Sequence, residues 1–553
     1  MTTATYWETI DAFRQFAAAQ PDRAAVIYPD GTTPGGLPDY RQITYRELDE
    51  WSDAVAEQLV ASGVGSGTRT IVLVLPSPEL YATLFALLKI GAVPVVIDPG
   101  MGVRRMVHCL RAVEAEAFIG IPPAHALRVL FARSFRHVRT TVTVGRRWFW
   151  GGPTLRSWGR RPAGVLPARV PAAPDDLLII GFTTGSTGPA KAVELTHGNL
   201  AAMVEQVHSA RGGTPPETSL ITLPLVGVLD LLLGSRCVLP PLIPSKVGST
   251  DPAHVVDAIE RFEVRTLFAS PALLIPLLAH LRARPTPLPS LASVFSGGAP
   301  VPDWCVAGLR EVLRPDAEIY AGYGSTEALP MSTIESRELL DGLVERAHTG
   351  DGTCIGRPAD RVEVRLLGIT DAPVRTWDGA EQPSGPREVG ELVVAGPNVS
   401  TRYYWPARAN TEGKIADGDR VWHRTGDLGW IDEQGRIWFC GRKSQRVRTA
   451  RGPMFTVQVE QVFNVVPGVA RTALVGVGTP GAQRPVLCVE VETGADAAAV
   501  LTRLRTRAVD FEVTTPVKDF LVHPRFPVDI RHNAKIGREE LARWATEKLE
   551  SGR

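Results

Sequence analysis

Short apolar runs alternate with amphipathic stretches over most of this chain. Residues 70–75 and 92–97 read as strands, and the amphipathic stretch 78–90 between them reads as a helix. Before them, a helical pattern is followed by a Gly/Pro-rich loop at 30–38. A second helix then opens at Thr44 with Glu47 three places on, the capping-box spacing. Further along, 177–182, 267–270 and 293–296 read as buried strands, and 390–397 as a strand with a following turn. Strands at 471–477 and 485–491 and a helix at 538–549 form a compact α/β lid. Strands alternating with helices predict an α/β protein with a mainly parallel sheet.

At 553 residues the chain has room for one large and one smaller domain, and the expected division is 1–441 and 442–553. A net charge of +1 gives no reason to expect nucleic acid as a partner. The six cysteines are widely spaced with no CxxC pair, so they read as reduced core residues. The first residues carry early acidic side chains and no basic start before an apolar core, unlike a secretory signal, so a cytoplasmic location is expected. The longest apolar region, 219–243, contains Asp230, Arg236 and several prolines; it reads as buried core or pocket wall rather than a membrane span. From 128 to 150, six arginines interleave with Phe131, Phe135, Trp148, Phe149 and Trp150. That stretch suits either a membrane surface or protein partner, or a solvated basic face with its aromatics turned inward.

Candidate chemistry begins in 182–200, FTTGSTGPAKAVELTHGNL. Thr183, Thr184, Ser186 and Thr187 offer hydroxyls, Gly185 and Gly188 allow tight turns, and Lys191 adds positive charge. After a buried strand, such a loop can cradle a polyphosphate on exposed N–H groups. The Walker and dinucleotide spacings are both absent. Gly298, Ala299 and Pro300 lie in a turn where backbone can rest against a flat ligand. Two further candidate segments are the turn-like 320–327, YAGYGSTE, and 423–429, HRTGDLG.

Taken together, these motifs resemble the adenylate-forming superfamily of acyl-CoA synthetases, luciferases and peptide synthetase adenylation domains. The resemblance implies ATP and magnesium as cofactors. It also implies adenine stacking by Tyr323 within the Gly324 and Ser325 turn, an α-phosphate contact from Thr326 and magnesium binding by Glu327. By the same resemblance, Asp427 and Arg442 contact ribose and Lys535 is the C-terminal catalytic lysine. The chain departs from the family's usual pattern at Ala192, Ser444 and Ala534, where glycine, a charged hinge residue and glycine are customary.

Within the superfamily, 97–100, 117–122, 296–302, 439–443, 471–481 and 526–538 look like the β-lactone synthetases of bacterial long-chain olefin biosynthesis. That resemblance implies adenylation of a 2-alkyl-3-hydroxy fatty acid and closure to a cis- or trans-β-lactone, with other enzymes of the same pathway as candidate partners. Where many acyl-CoA synthetases read Leu-Pro-Leu-Phe-His, this chain reads Leu223-Pro224-Leu225-Val226-Gly227. Loss of the histidine fits an enzyme with no thiol acceptor to gate. Two alternatives stand beside this reading: a long-chain acyl-CoA or acyl-carrier ligase, and a non-catalytic nucleotide-binding scaffold. Lys191, Glu327, Asp427 and Lys535, present together, weigh against the scaffold.

Overall fold

The computed structural model describes residues 8–160, 172–183, 190–211, 217–242, 244–383, 385–527 and 536–551. Two sheets with parallel centres dominate it. The nine-stranded sheet runs, in spatial order, Arg357–Pro358, Ala328–Glu335, Glu318–Ser325, Ser293–Ser296, Thr266–Ala269, Thr218–Ile221, Arg236–Val238, Ala24–Thr32 and Pro38–Thr44. Its six central strands are parallel, and antiparallel hairpins close both edges. The seven-stranded sheet has a parallel centre that includes Val93–Val96 beside Leu177–Thr183. Lys191–Thr196 and Tyr403–Trp405 are added antiparallel at one edge.

Helices Tyr45–Ala61, Pro78–Lys89 and Pro224–Leu232 lie between the two sheets. One apolar cluster joins Val26 and Ile221 from one sheet to Val72, Ile119 and Ile179 from the other, with Tyr81, Phe85 and Leu229 between them. Each fully buried side chain of this size contributes roughly 1.5–3 kcal/mol, so this layer fixes how the two sheets face each other. The apolar region around 219–243 is therefore core: a strand, a helix and a second strand. No helix among the described residues is long and apolar enough to cross a membrane. All six cysteines are free and buried.

A third, antiparallel sheet holds Gly390–Ala395, Arg420–Ile431 and Ile437–Arg442. Beyond it, Val469–Val477 pairs antiparallel with Arg484–Val491, and Asp519–Val522 joins in parallel. Helices Thr456–Asn464, Ala497–Arg507 and Arg538–Ser551 complete this smaller C-terminal unit. It is tied to the large part by Gln461 donating to Thr353 Oγ1 (2.9 Å), Arg507 donating to His348 O (3.1 Å) and an Arg446–Asp371 ion pair of 2.7 Å.

Three local readings of the sequence need correction. The stretch 30–38 is a hairpin tip: the loop reading holds at 33–37, which includes Pro34, whereas Asp30, Gly31 and Pro38 belong to the paired strands Ala24–Thr32 and Pro38–Thr44. The capping box at Thr44 forms, with reciprocal bonds of 3.1 and 2.7 Å to Glu47. The segments 320–327 and 423–429 are largely strand rather than turn. At Gly426 the strand adopts φ +72°, a left-handed step that glycine takes without steric cost, and the pairing register shifts nearby.

Candidate active site

The strands Leu177–Thr183 and Glu318–Ser325 end close together. A Cβ placed on Gly181 would sit 3.1 Å from Thr326 Cγ2, so the small residue lets the two segments approach. Thr183 pairs in register with Lys191, which places Lys191 at the start of the returning strand. Thr184, Gly185, Ser186, Thr187 and Gly188 lie outside the described residues, as does Lys535. Its flanks are fixed: Gly537 N–H donates to Pro527 O at 2.8 Å, and the Arg538 guanidinium binds Glu460.

Tyr323 and Asp427, from different sheets, meet directly. The Tyr323 hydroxyl donates to Asp427 Oδ2 at 2.5 Å, and Arg442 Nε stands 3.0 Å from Oδ1. Oδ1 is buried and accepts no aligned hydrogen bond within the described structure. A buried carboxylate oxygen without a donor costs free energy, and an acceptor-only group of this kind suits a ligand hydroxyl. Burial raises the Asp427 pKa despite the lowering effects of Arg442 and Tyr323. Gly298 has φ +85°, and the space a Cβ would occupy there is open. Ala299 and Pro300 continue that turn at the end of strand Ser293–Ser296.

Glu327 is 8 % exposed and accepts a hydrogen bond from Tyr403 Oη at 2.8 Å. Two lysines face the same tyrosine ring, Lys191 Nζ and Lys414 Nζ each 4.9 Å from its centroid. Lys414 donates to Ser400 O. Burial, aided by Lys191 and opposed by Glu327, lowers its pKa to about 7. His423 is held down to about 3, by burial first and then by Lys414. For Glu327, burial pushes the pKa up, but His423, Tyr403 and Lys414 outweigh it and the net shift is downward. His423 is neutral at pH 7, so Tyr403 and Lys414 are what hold the carboxylate ionised there.

Tyr403, Lys414 and His423 were not among the residues picked out by sequence. A single lysine or tyrosine at the start of a short strand carries no local signature, and only the fold brings these three to Glu327. Glu391 was missed for the same reason. It accepts from Arg424 Nε at 3.1 Å and from Lys443 Nζ at 2.8 Å, linking the strand before Asp427 to the segment after Arg442.

A pH effect follows from His423. Its folded pKa lies below the unfolded value near 6.5, so its contribution is fully present above 6.5 and is lost as pH falls toward 3. Between pH 7 and pH 5 that loss is about 2 kcal/mol. His423→Asn, which keeps a donor for Gly413 O, should remove this part of the slope. Urea midpoints of the metal-free protein at pH 7 and pH 5 test it: equal slopes for the variant and wild type would contradict the assignment.

Gly227 sits against Tyr81. A Cβ there would lie 2.1 Å from the Tyr81 hydroxyl and 2.8 Å from Cζ, so Tyr81 fills the space that a side chain at 227 would take. Tyr81 is fully buried, and its hydroxyl has no hydrogen-bond partner within the described structure. A histidine at 227 cannot be housed without displacing the ring.

Residues 13–404 match the AMP-binding enzyme family, and the chain belongs to that family of adenylate-forming ligases. It is 45 % identical over 544 residues to the olefin beta-lactone synthetase of Stenotrophomonas maltophilia, covering 97 % of each chain. To the olefin beta-lactone synthetase of Xanthomonas campestris pv. campestris it is 43 % identical, covering 97 % of this chain and 96 % of that one. A feruloyl-CoA synthase from Amycolatopsis is 30 % identical over 86 % of this chain and 89 % of its own. Among solved structures, the amide bond synthetase McbA of Marinactinospora thermotolerans superposes with a TM-score of 0.77 at 22 % identity, over 97 % of this chain and 99 % of that one. The o-succinylbenzoate CoA synthetase of Bacillus subtilis, in complex with ATP and magnesium ion, gives 0.74 at 22 % identity, over 96 % and 98 %.

Proposed function

We propose that the chain activates a 2-alkyl-3-hydroxy fatty acid with ATP and closes it to a β-lactone. In the first step a substrate carboxylate oxygen attacks the α-phosphorus and pyrophosphate leaves. In the second, the substrate's own β-hydroxyl oxygen attacks the acyl carbon, the bond to AMP breaks and the hydroxyl proton is released. Attack by a tethered hydroxyl avoids the entropy of bringing two molecules together. No side chain is assigned as its base.

The observation that carries the acceptor reading is the Tyr81–Gly227 contact. The position that by resemblance would carry the histidine of many acyl-CoA synthetases is filled here by Tyr81 from helix Pro78–Lys89. Likeness over nearly the whole length to two olefin beta-lactone synthetases supports the same choice. In this reading Asp427 and Arg442 receive the ribose, Tyr323 the adenine, Thr326 and the 183–188 loop the phosphates, with Lys191 beside them. Lys535 neutralises charge as the acyl phosphate forms, and the small domain, taken as 442–553, carries it.

Magnesium would be held by Glu327. Among the described residues no three His, Cys, Asp or Glu side chains converge on a metal site. That donor set fits an ion held by one carboxylate plus substrate phosphates and water. When bound, the ion would offset phosphate charge during adenylation. A cytoplasmic setting and contact with other enzymes of lactone or olefin formation belong to the same proposal.

The test is product analysis. A synthetic 2-alkyl-3-hydroxy acid with ATP and no CoA should yield a product lighter than the acid by one water, with AMP released. Accumulation of free acid and AMP alone, or a product only when CoA is present, would overturn the lactone step.

A further inference from the structure

Charge is distributed unevenly along this nearly neutral chain. Between residues 117 and 174 there are ten arginines and no aspartate or glutamate, although the net charge of the whole is +1. Within the described residues several of these arginines share their segment with exposed apolar side chains. Leu130, at the end of helix Pro122–Leu130, is 76 % exposed, Phe149 is 74 % exposed and Trp148 is 54 % exposed. Side chains of this size are rarely left out together on a surface that faces only water.

The exposed aromatics stand on a rigid base. Trp150 is buried, stacks on His125 at 5.3 Å and donates to Thr143 Oγ1 at 3.0 Å. Trp148 and Phe149 flank it, their ring centroids 5.4 and 5.1 Å from that of Trp150. Arg147 donates to Gly152 O at 2.6 Å, which closes the loop that presents them. Beside this loop Arg128 and Arg139 line one open cleft of about 480 Å³, with Thr141 and Gly152 on its other side. Arg133, Arg136 and Arg146 are exposed around it. On the neighbouring segment Glu116 is bound by Arg69, and Glu114 stands 3.8 Å from His137 with its side chain exposed.

We propose that this face is a docking surface for an anionic phospholipid membrane. The exposed Trp148 and Phe149 would enter the interface, and the arginines would meet lipid phosphates, with the Arg128 and Arg139 cleft able to take a headgroup. Aromatic and apolar side chains ringed by basic residues bind such surfaces by buried apolar area plus charge. A nucleic acid partner would need no outward apolar cluster, and the arginines match negative headgroups. The inference does not depend on which acid the enzyme activates.

The experiment is sedimentation of the full chain with phosphatidylcholine vesicles, with and without phosphatidylglycerol, at low and high salt. Binding should require the anionic lipid and weaken with salt. Replacing Arg133 and Arg146 together by Glu should lower affinity on the order of tenfold or more, and Trp148→Ser with Phe149→Ser should do the same. Both variants are at exposed positions and should keep the wild-type melting temperature and adenylation of a short soluble acid. The proposal is overturned if wild type ignores anionic vesicles, if both variants bind as wild type does, or if the face instead holds a protein partner while vesicles go unbound.

Discussion

Lys535→Ala should slow acyl-adenylate formation on the order of 10²–10³-fold while leaving ATP binding nearly intact. Adenylation joins a carboxylate to a triphosphate, so negative charge concentrates where the new bond forms. A cation delivered there helps the transition state more than the bound substrates, which is why the effect falls on rate rather than on affinity. The flanks of 528–535 are pinned by the Gly537–Pro527 bond and the Arg538–Glu460 pair. Truncating a side chain between such anchors should leave the small domain folded. Pyrophosphate release and nucleotide binding, measured on the same preparation, check the prediction: a near-normal first step would make the lysine structural.

Glu327→Gln should cut turnover roughly tenfold to hundredfold at limiting magnesium, with part of the loss recovered as magnesium is raised. Glutamine keeps the shape and can still meet Tyr403, but it removes the charge that faces Lys414 and any bound ion. A purely structural role would predict something different. Lys414 would lose its opposing charge, its pKa would fall further below about 7, and stability would change with no dependence on magnesium. Titrating magnesium against rate, alongside the melting temperature without magnesium, separates the two roles. Unchanged activity at limiting magnesium would remove Glu327 from the metal site.

How far the sequence reached can be judged at particular residues. Tyr323, Asp427 and Arg442 were legible because each sits in a short motif, and the structure brings those three together. Glu327 was legible for the same reason, but its neighbours were not. Tyr403 and Lys414 come from two further strands and His423 from the strand that also carries Asp427, and a buried lysine looks like a surface one until the strands are paired. The strands at 177–182 and 293–296 were readable from apolar runs, the first ending one residue later at Thr183, whereas the hairpin from Ala24 to Thr44 hid behind its glycines and prolines. The segment around Asp427 looked turn-like because its glycines mimic turn chemistry, and the long strand Arg420–Ile431 tolerates them through the left-handed step at Gly426. At 128–150 the sequence left two readings open. The structure divides the aromatics between them, with Phe135 and Trp150 inward and Trp148 and Phe149 outward.

The central claim is that the attacking oxygen belongs to the substrate itself. It is tested most directly with a 3-deoxy analogue that keeps the carboxylate and both alkyl branches but lacks the β-hydroxyl, incubated with ATP in the presence and absence of CoA. The account predicts one equivalent of pyrophosphate, a bound acyl-adenylate and no further turnover in either condition, because the nucleophile has been removed and nothing replaces it. Conversion of the analogue to a CoA thioester would contradict the account and make the enzyme an acyl-CoA ligase.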